Sequence, residues 1–139
     1  MWLVGDGERR DELKKLVSDQ KVEDNVRFLG VRSDVANVLK AADVVVMSSH
    51  WEGLSLSNIE GMSVGKPFVA SDVDGLREIT KDAGILFKHE DADELASIIL
   101  QLSKDKDYYD YIAARCYERA KQFDISKTIE GYNALYNKI

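Results

Sequence analysis

Two glutamates, Glu52 and Glu60, stand in the stretch SSHWEGLSLSNIEGMSVGKPFVASDVDGLRE at residues 48–78. Gly53, Leu54, Ser55, Leu56, Ser57, Asn58 and Ile59 lie between them, and a helical pattern begins where that loop ends. The residue types pull in opposite directions. A helix start offers unpaired N–H groups and the positive end of the helix dipole, which attract anions. Carboxylates repel anions and accept hydrogen bonds from hydroxyls instead. A ligand with both kinds of group reconciles them, with phosphates on the amides and sugar hydroxyls on the carboxylates. A nucleotide sugar is such a ligand, and Gly53 would let the backbone approach it closely.

Local readings compete with this one. Ser57, Asn58, Ile59 and Glu60 spell a capping box, in which Glu60 would bond back to the first amide of its own helix. Glu52 reads equally well as a solvated loop acid, and Ser55 and Ser57 are common at helix starts. Asp72-Val73-Asp74 spells a metal-binding DxD, but it sits on a turn with no further ligands clustered in the sequence, so no metal is expected. His50 reads as a solvated loop histidine and His89 as a surface one. Cys116, the single cysteine, has apolar neighbours at helical spacing and reads as a small core residue.

Short apolar runs alternating with amphipathic segments must position these residues, and that alternation builds a parallel sheet with covering helices. The fold class expected is α/β, with about five strands in a Rossmann-like sheet and a helical C-terminus. Strands are predicted at 2–4, 26–29, 44–48, 68–71 and 85–87, rich in Val, Leu and Phe as strands buried on both faces are. Helices are predicted at 9–18, 35–42 and 57–64, then from Asp91 or Asp93, at 108–123 and at 126–137. Residues 48–78 follow a buried strand, which puts them at the carboxyl end of the sheet, where α/β proteins hold ligands.

The bulk numbers bound the answer. A chain of 139 residues, 45% hydrophobic and 32% charged, has the size of one domain and can bury a core without disulfides or metal. A formal net charge of −6 disfavours nucleic acid, whose phosphates call for a basic surface. No apolar run approaches a bilayer span, and the N-terminus lacks the basic flank and long apolar region of a signal peptide, so the expected location is cytoplasmic.

In its order of motifs the chain resembles the C-terminal domain of retaining glycosyltransferases of the glycogen-synthase-like group 1 superfamily, which have the GT-B fold. The pieces are Val4-Gly5-Asp6-Gly7 after a strand, VRFLG at 26–30, Ala42-Asp43-Val44 leading to Ser48, and the Glu-x7-Glu signature of Glu52 and Glu60. Gly61-Met62, Gly65, Pro67 and DVDGLRE ending at Glu78 follow. A lone glutamate pair would be weak, but the ordered set covers about the first ninety residues.

The resemblance implies a nucleoside-diphosphate sugar donor, of UDP or GDP type, as substrate, with no cofactor and no metal. Glu60 would hold the ribose hydroxyls and Glu52 the donor sugar. Leu54, Ser55 and Leu56 would offer amides to the sugar and diphosphate. Val31 and Arg32 would meet the base, and Gly5 and Gly7 would line the same rim. Three departures stand out: Leu54-Ser55 where the family often has an aromatic and a glycine, Gly61 where alanine is usual, and Asp74 in place of the first of two glycines.

Such a domain normally opens with a further strand and helix and a basic residue that helps neutralise the diphosphate, and it works beneath an N-terminal acceptor domain. The chain therefore reads as a single donor-binding domain over 1–139, inactive alone, whose parent is left open to peripheral membrane association. The further strand would be central in an order of 3-2-1-4-5-6. An open gap there would expose unpaired backbone, so the strands are expected to close into one flavodoxin-like sheet. An epimerase or phosphorylase of the same fold, or a non-catalytic flavodoxin-like module, are the other readings. A receiver domain would need an acidic cluster after the first strand, and a dinucleotide-binding domain a third glycine where Arg10 stands.

Overall fold

The computed structural model describes residues 1–53 and 56–137. Among the described residues five strands and seven α-helices follow in order, alternating as far as β5 and helical after it: β1 (Trp2–Val4), α1 (Arg10–Asp19), β2 (Arg27–Gly30), α2 (Val35–Ala41), β3 (Val45–Met47), α3 (Leu56–Ser63), β4 (Phe68–Ser71), α4 (Asp74–Thr80), β5 (Ile85–Phe87), α5 (Ala92–Lys104), α6 (Lys106–Ala120) and α7 (Ile125–Tyr136). Every expected strand is present and every ladder is parallel, so the α/β class holds.

The expected closure into one sheet is not what forms. The strands make two sheets, one of order β1-β2 and one of order β3-β4-β5. Taken separately, the first matches the 2-3 neighbours and the second the 4-5-6 run of a 3-2-1-4-5-6 order. The physical reason lies in strand length. A ladder between three-residue strands adds only a few hydrogen bonds of about 0.5–1.5 kcal/mol net each, too little to draw a strand away from the helices that cover it.

By its contacts the chain divides into two compact units, residues 1–35 and 36–139. In the first, Met1 and Trp2 lead β1 alongside β2, with Arg27 N–H donating to the Met1 carbonyl at 2.9 Å. Its helix α1 turns Leu13 and Leu16 only partly inward, and no residue of α1 is fully buried.

The second unit holds the fully buried residues, and β4 is its axis, with all four residues buried. Alternate strand residues face opposite ways, and two clusters follow from that alternation. Phe68 and Ala70 join Met62 of α3, Leu76 and Ile79 of α4, and Ile112, Cys116 and Ala120 of α6. Val69 faces the other way with Phe87 and Leu102 of α5. Cys116 is fully buried, and burial pushes its thiol up from the ordinary value, which suits a core residue and not a nucleophile.

The starts of α5, α6 and α7 are set by side-chain caps. Asp91 accepts from Glu94 N–H at 2.9 Å, Asp105 from Tyr108 N–H at 2.9 Å and Asp124 from Ser126 N–H at 2.8 Å. The Asp105 cap starts α6 two residues before the expected Tyr108. The helix α4 is an addition to the expectation of a turn over DVDGLRE. At seven residues, with Gly75 in its first turn, it gives too short a periodic signal to read.

Candidate nucleotide-sugar site

In the second unit the chain leaves β3 at Met47 and runs through residues 48–53 to α3. Two serines anchor this run. Ser71, buried at the end of β4, donates to the Ser49 carbonyl at 2.6 Å, and Ser49 Oγ donates to Glu52 Oε1 at 2.9 Å. The carboxylate of Glu52 is thus tethered through one oxygen to the carboxyl edge of the sheet, and the residue is half-buried.

Helix α4 backs the same segment. A Cβ on Gly75 would lie 2.1 Å from the Glu52 carbonyl oxygen and 2.3 Å from that of Gly53. Only a hydrogen fits there, so Gly75 permits the close approach that sets where Glu52 stands. Gly53 is exposed, and a Cβ on it would meet nothing within 4 Å, which leaves its outer side open to a ligand. Leu54 and Ser55 lie outside the described residues.

Glu60 is exposed on α3, and so is Leu56 at the head of that helix. Since α3 begins at Leu56, Ser57 is already helical and Glu60 is in the second turn. A capping box needs its serine before the first helical residue and its glutamate three positions later, so these two residues do not form one. Asn58 on the same helix is fully buried, with neither polar atom bonded among the described residues.

In the first unit, Gly5 and Gly30 sit at the carboxyl ends of β1 and β2. Gly5 N–H donates to the Gly30 carbonyl at 2.8 Å, and both have positive φ, 117° and 64°, a conformation that glycine adopts without a Cβ penalty. Beyond them Val31 is exposed, and Arg32 is held by Asp34 through two bonds, Nε to Oδ1 at 2.8 Å and Nη2 to Oδ2 at 2.7 Å. The pairing raises the Arg32 pKa and holds the Asp34 carboxyl below its ordinary range. Gly7 follows, its N–H on Asp6 Oδ1 at 2.9 Å. The structure therefore gathers Gly5, Gly7, Val31 and Arg32 at one rim of the first unit, and Glu52, Gly53, Leu56 and Glu60 on one loop-helix segment of the second.

The DxD carboxylates are already engaged. Arg77 of α4 donates from Nε to Asp72 Oδ1 at 2.5 Å and from Nη1 to Asp74 Oδ1 at 3.1 Å, and the bond to Asp72 raises the pKa of its guanidinium. An arginine across both acids leaves a cation little to gain there. Of the two histidines, His50 is exposed as expected, whereas His89, expected at the surface, is half-buried; their rings stand edge to face with centroids 4.6 Å apart.

Parallel strands covered by helices, with glycines, a helix start and glutamates at their carboxyl ends, are the features of a GT-B C-terminal domain. The chain belongs to the glycosyl transferases group 1 family, whose model matches residues 1–123. It is 31% identical over 138 residues to the Escherichia coli UDP-Gal:alpha-D-GlcNAc-diphosphoundecaprenol alpha-1,3-galactosyltransferase, covering 96% of this chain and 35% of that enzyme. It is 37% identical over 120 residues to the lipopolysaccharide core biosynthesis glycosyltransferase LpsE of Rhizobium meliloti, covering 85% and 35%. Among solved structures, Anabaena HepE in complex with UDP-glucose superposes with a TM-score of 0.89 at 29% identity, over 99% of this chain and 40% of that one. The chain thus spans little more than a third of the curated relatives it matches.

Sequence reasoning missed Ser49, Ser71 and Gly75, which hold Glu52. None of them has a motif of its own. The one available signal was that Gly75 falls within the turn shared with the family, where a glycine demands a backbone reason.

Proposed function

We propose that the chain is the donor-binding domain of a retaining glycosyltransferase that takes a sugar from a nucleoside diphosphate. The observation that carries this reading is Glu60, exposed in the second turn of α3 and out of register for a helix cap, on the helix that follows the tethered Glu52. Glu60 would accept hydrogen bonds from the ribose hydroxyls and Glu52 from the donor sugar. Amides at Leu54, Ser55 and Leu56 would take the diphosphate, helped by the dipole of α3. Gly53 gives the ligand access to the backbone. The base would lie by Val31 and Arg32, with Gly5 and Gly7 on the same rim.

Catalysis in the parent would come from amides and cations that stabilise the departing diphosphate, and from holding the acceptor in place. The acceptor would be held by an N-terminal domain, since the relatives are so much longer than this chain; by itself the chain would bind donor without transferring sugar. HepE has been solved with UDP and with UDP-glucose, which supports a donor of the same class here. The spacing of Glu52 and Glu60 favours a transferase over an epimerase or phosphorylase of this fold.

Calorimetric titration with UDP, GDP and ADP tests the reading. One nucleotide should bind, and Glu60→Gln should weaken it about tenfold or more, as expected for a hydrogen bond to a charged group worth about 1.5–3 kcal/mol. Thermal stability should not change, because the side chain is exposed. Equal binding by wild type and Glu60→Gln would reject the ribose role.

A further inference from the structure

Beyond the donor site, the second unit brings together the chain's only two histidines. His50 precedes Glu52 by two residues, and His89 lies in the turn between β5 and α5. Glu90 completes the group. One donor atom from each of the three side chains lies within 4.8 Å of the others, and His50 Nδ1 is 3.8 Å from Glu90 Oε1. Among the described residues this is the one such group of histidines, cysteines and acids. We propose that His50, His89 and Glu90 form a site for a divalent transition metal of the zinc class, which staples the loop leading into Glu52 to the turn that opens α5.

Two imidazoles and a carboxylate are a ligand set that suits zinc, nickel or cobalt, with a fourth position left for water. Bonds of about 2.0–2.1 Å in a tetrahedral site need donors roughly 3.4 Å apart, so the widest pair must close by at most about 1.4 Å. The exposed side chains of His50 and Glu90 are free to make that move, and the turn is not. Asp91 N–H donates to the Lys88 carbonyl at 2.9 Å, and Lys88 N–H donates to Glu94 Oε2 at 2.6 Å. His89 and Glu90 are therefore presented side by side on a closed turn.

Glu90 has φ 65°, at a position where such turns favour glycine or asparagine. The turn thus presents the Glu90 carboxylate beside His89 from a backbone conformation that its own bonds hold in place. The group also rims an open concavity of about 210 Å³ at the carboxyl ends of β3, β4 and β5, floored by Phe87, Ala92 and Leu95. The apolar floor lies behind the ligands, where it would lower the local dielectric around a bound ion. The chain's net negative charge adds a general attraction for a cation.

Zinc titration of the untagged chain, followed by calorimetry and repeated with cobalt to read the visible bands of a tetrahedral site, tests the proposal. One equivalent should bind at micromolar or lower Kd. His50→Ala and His89→Ala should each weaken it tenfold or more, and Glu90→Gln several-fold. Amide exchange at residues 50–53 should slow on adding zinc to wild type and not to His89→Ala. His50 is exposed and His89 half-buried on a turn outside the core clusters, so circular dichroism and melting should show both variants folded and exclude misfolding as the cause. Absence of saturable binding near one equivalent, or either histidine variant binding as wild type does, would overturn the site. Zinc bound with exchange at 50–53 unchanged would overturn the staple.

Discussion

Substituting Gly75 by alanine probes what holds Glu52. The new Cβ would stand 2.1 Å and 2.3 Å from the carbonyl oxygens of Glu52 and Gly53, against an ordinary non-bonded distance above about 3 Å. Something must retreat by roughly 1 Å. Helix α4 is pinned by Leu76 and Ile79, both buried in the core, whereas the Glu52–Gly53 segment is half-buried to exposed, so the loop gives way. Overlap this deep with two backbone oxygens falls at the upper end of what overpacking costs, about 2–3 kcal/mol, and alanine in a helix returns about 1 kcal/mol over glycine. The net loss is about 1–2 kcal/mol, or about 4–8 °C in Tm at roughly 4 °C per kcal/mol.

Function should suffer more than stability. Glu52 would leave the Ser49 tether, and because Glu52 is assigned to the donor sugar, the nucleoside-diphosphate sugar should bind about 10–100-fold more weakly, the equivalent of one charge-assisted hydrogen bond, while the sugar-free nucleotide should lose less. Gly53→Ala is the matched control. Its Cβ meets no protein atom, so Tm should shift little while affinity falls only if a ligand presses on that face. Differential scanning fluorimetry and calorimetry read the two effects. If Gly75→Ala melts with wild type, the close approach is no constraint; if it melts early but binds the nucleotide sugar unchanged, α4 yielded and Gly75 does not position Glu52.

Two further outcomes follow from the same packing and charge arrangement. Gly61→Ala, which restores the residue usual in the family, would put a Cβ 2.7 Å from the Phe68 ring and 3.1 Å from Val45. It should lower stability in urea melts, and Phe68→Leu should relieve part of that loss, with a coupling of about 1 kcal/mol in a double-mutant cycle. Asp34, held below its ordinary range by Arg32, should titrate by NMR below the unperturbed value of about 3.9 and return toward it in Arg32→Gln. Because the folded pKa is the lower one, the pairing contributes above the unfolded value and is lost as pH falls through the folded one.

Much of the molecule was legible in order. The strands at 2–4, 68–71 and 85–87 appear with the expected bounds, because a short apolar run between turn residues has few other ways to bury itself. The helices shift by a residue or two at caps such as Asp105, where one side-chain hydrogen bond decides the start. The seven-residue α4 escaped because glycine and brevity hide its period.

By itself the sequence determined the α/β class, the family and the identity of the acids: these rest on local periodicity and on residue types at fixed spacing, which any chain with this order carries. Only the tertiary structure decided how the strands divide into two sheets, that Glu60 falls in the second turn of α3, and that Ser49, Ser71 and Gly75 hold Glu52. It alone brought His50 beside His89, from segments that nothing in the sequence links. The strand pairings, the Ser71 and Gly75 contacts and the histidine pair depend on residues distant along the chain, and such contacts leave no mark in local spacing.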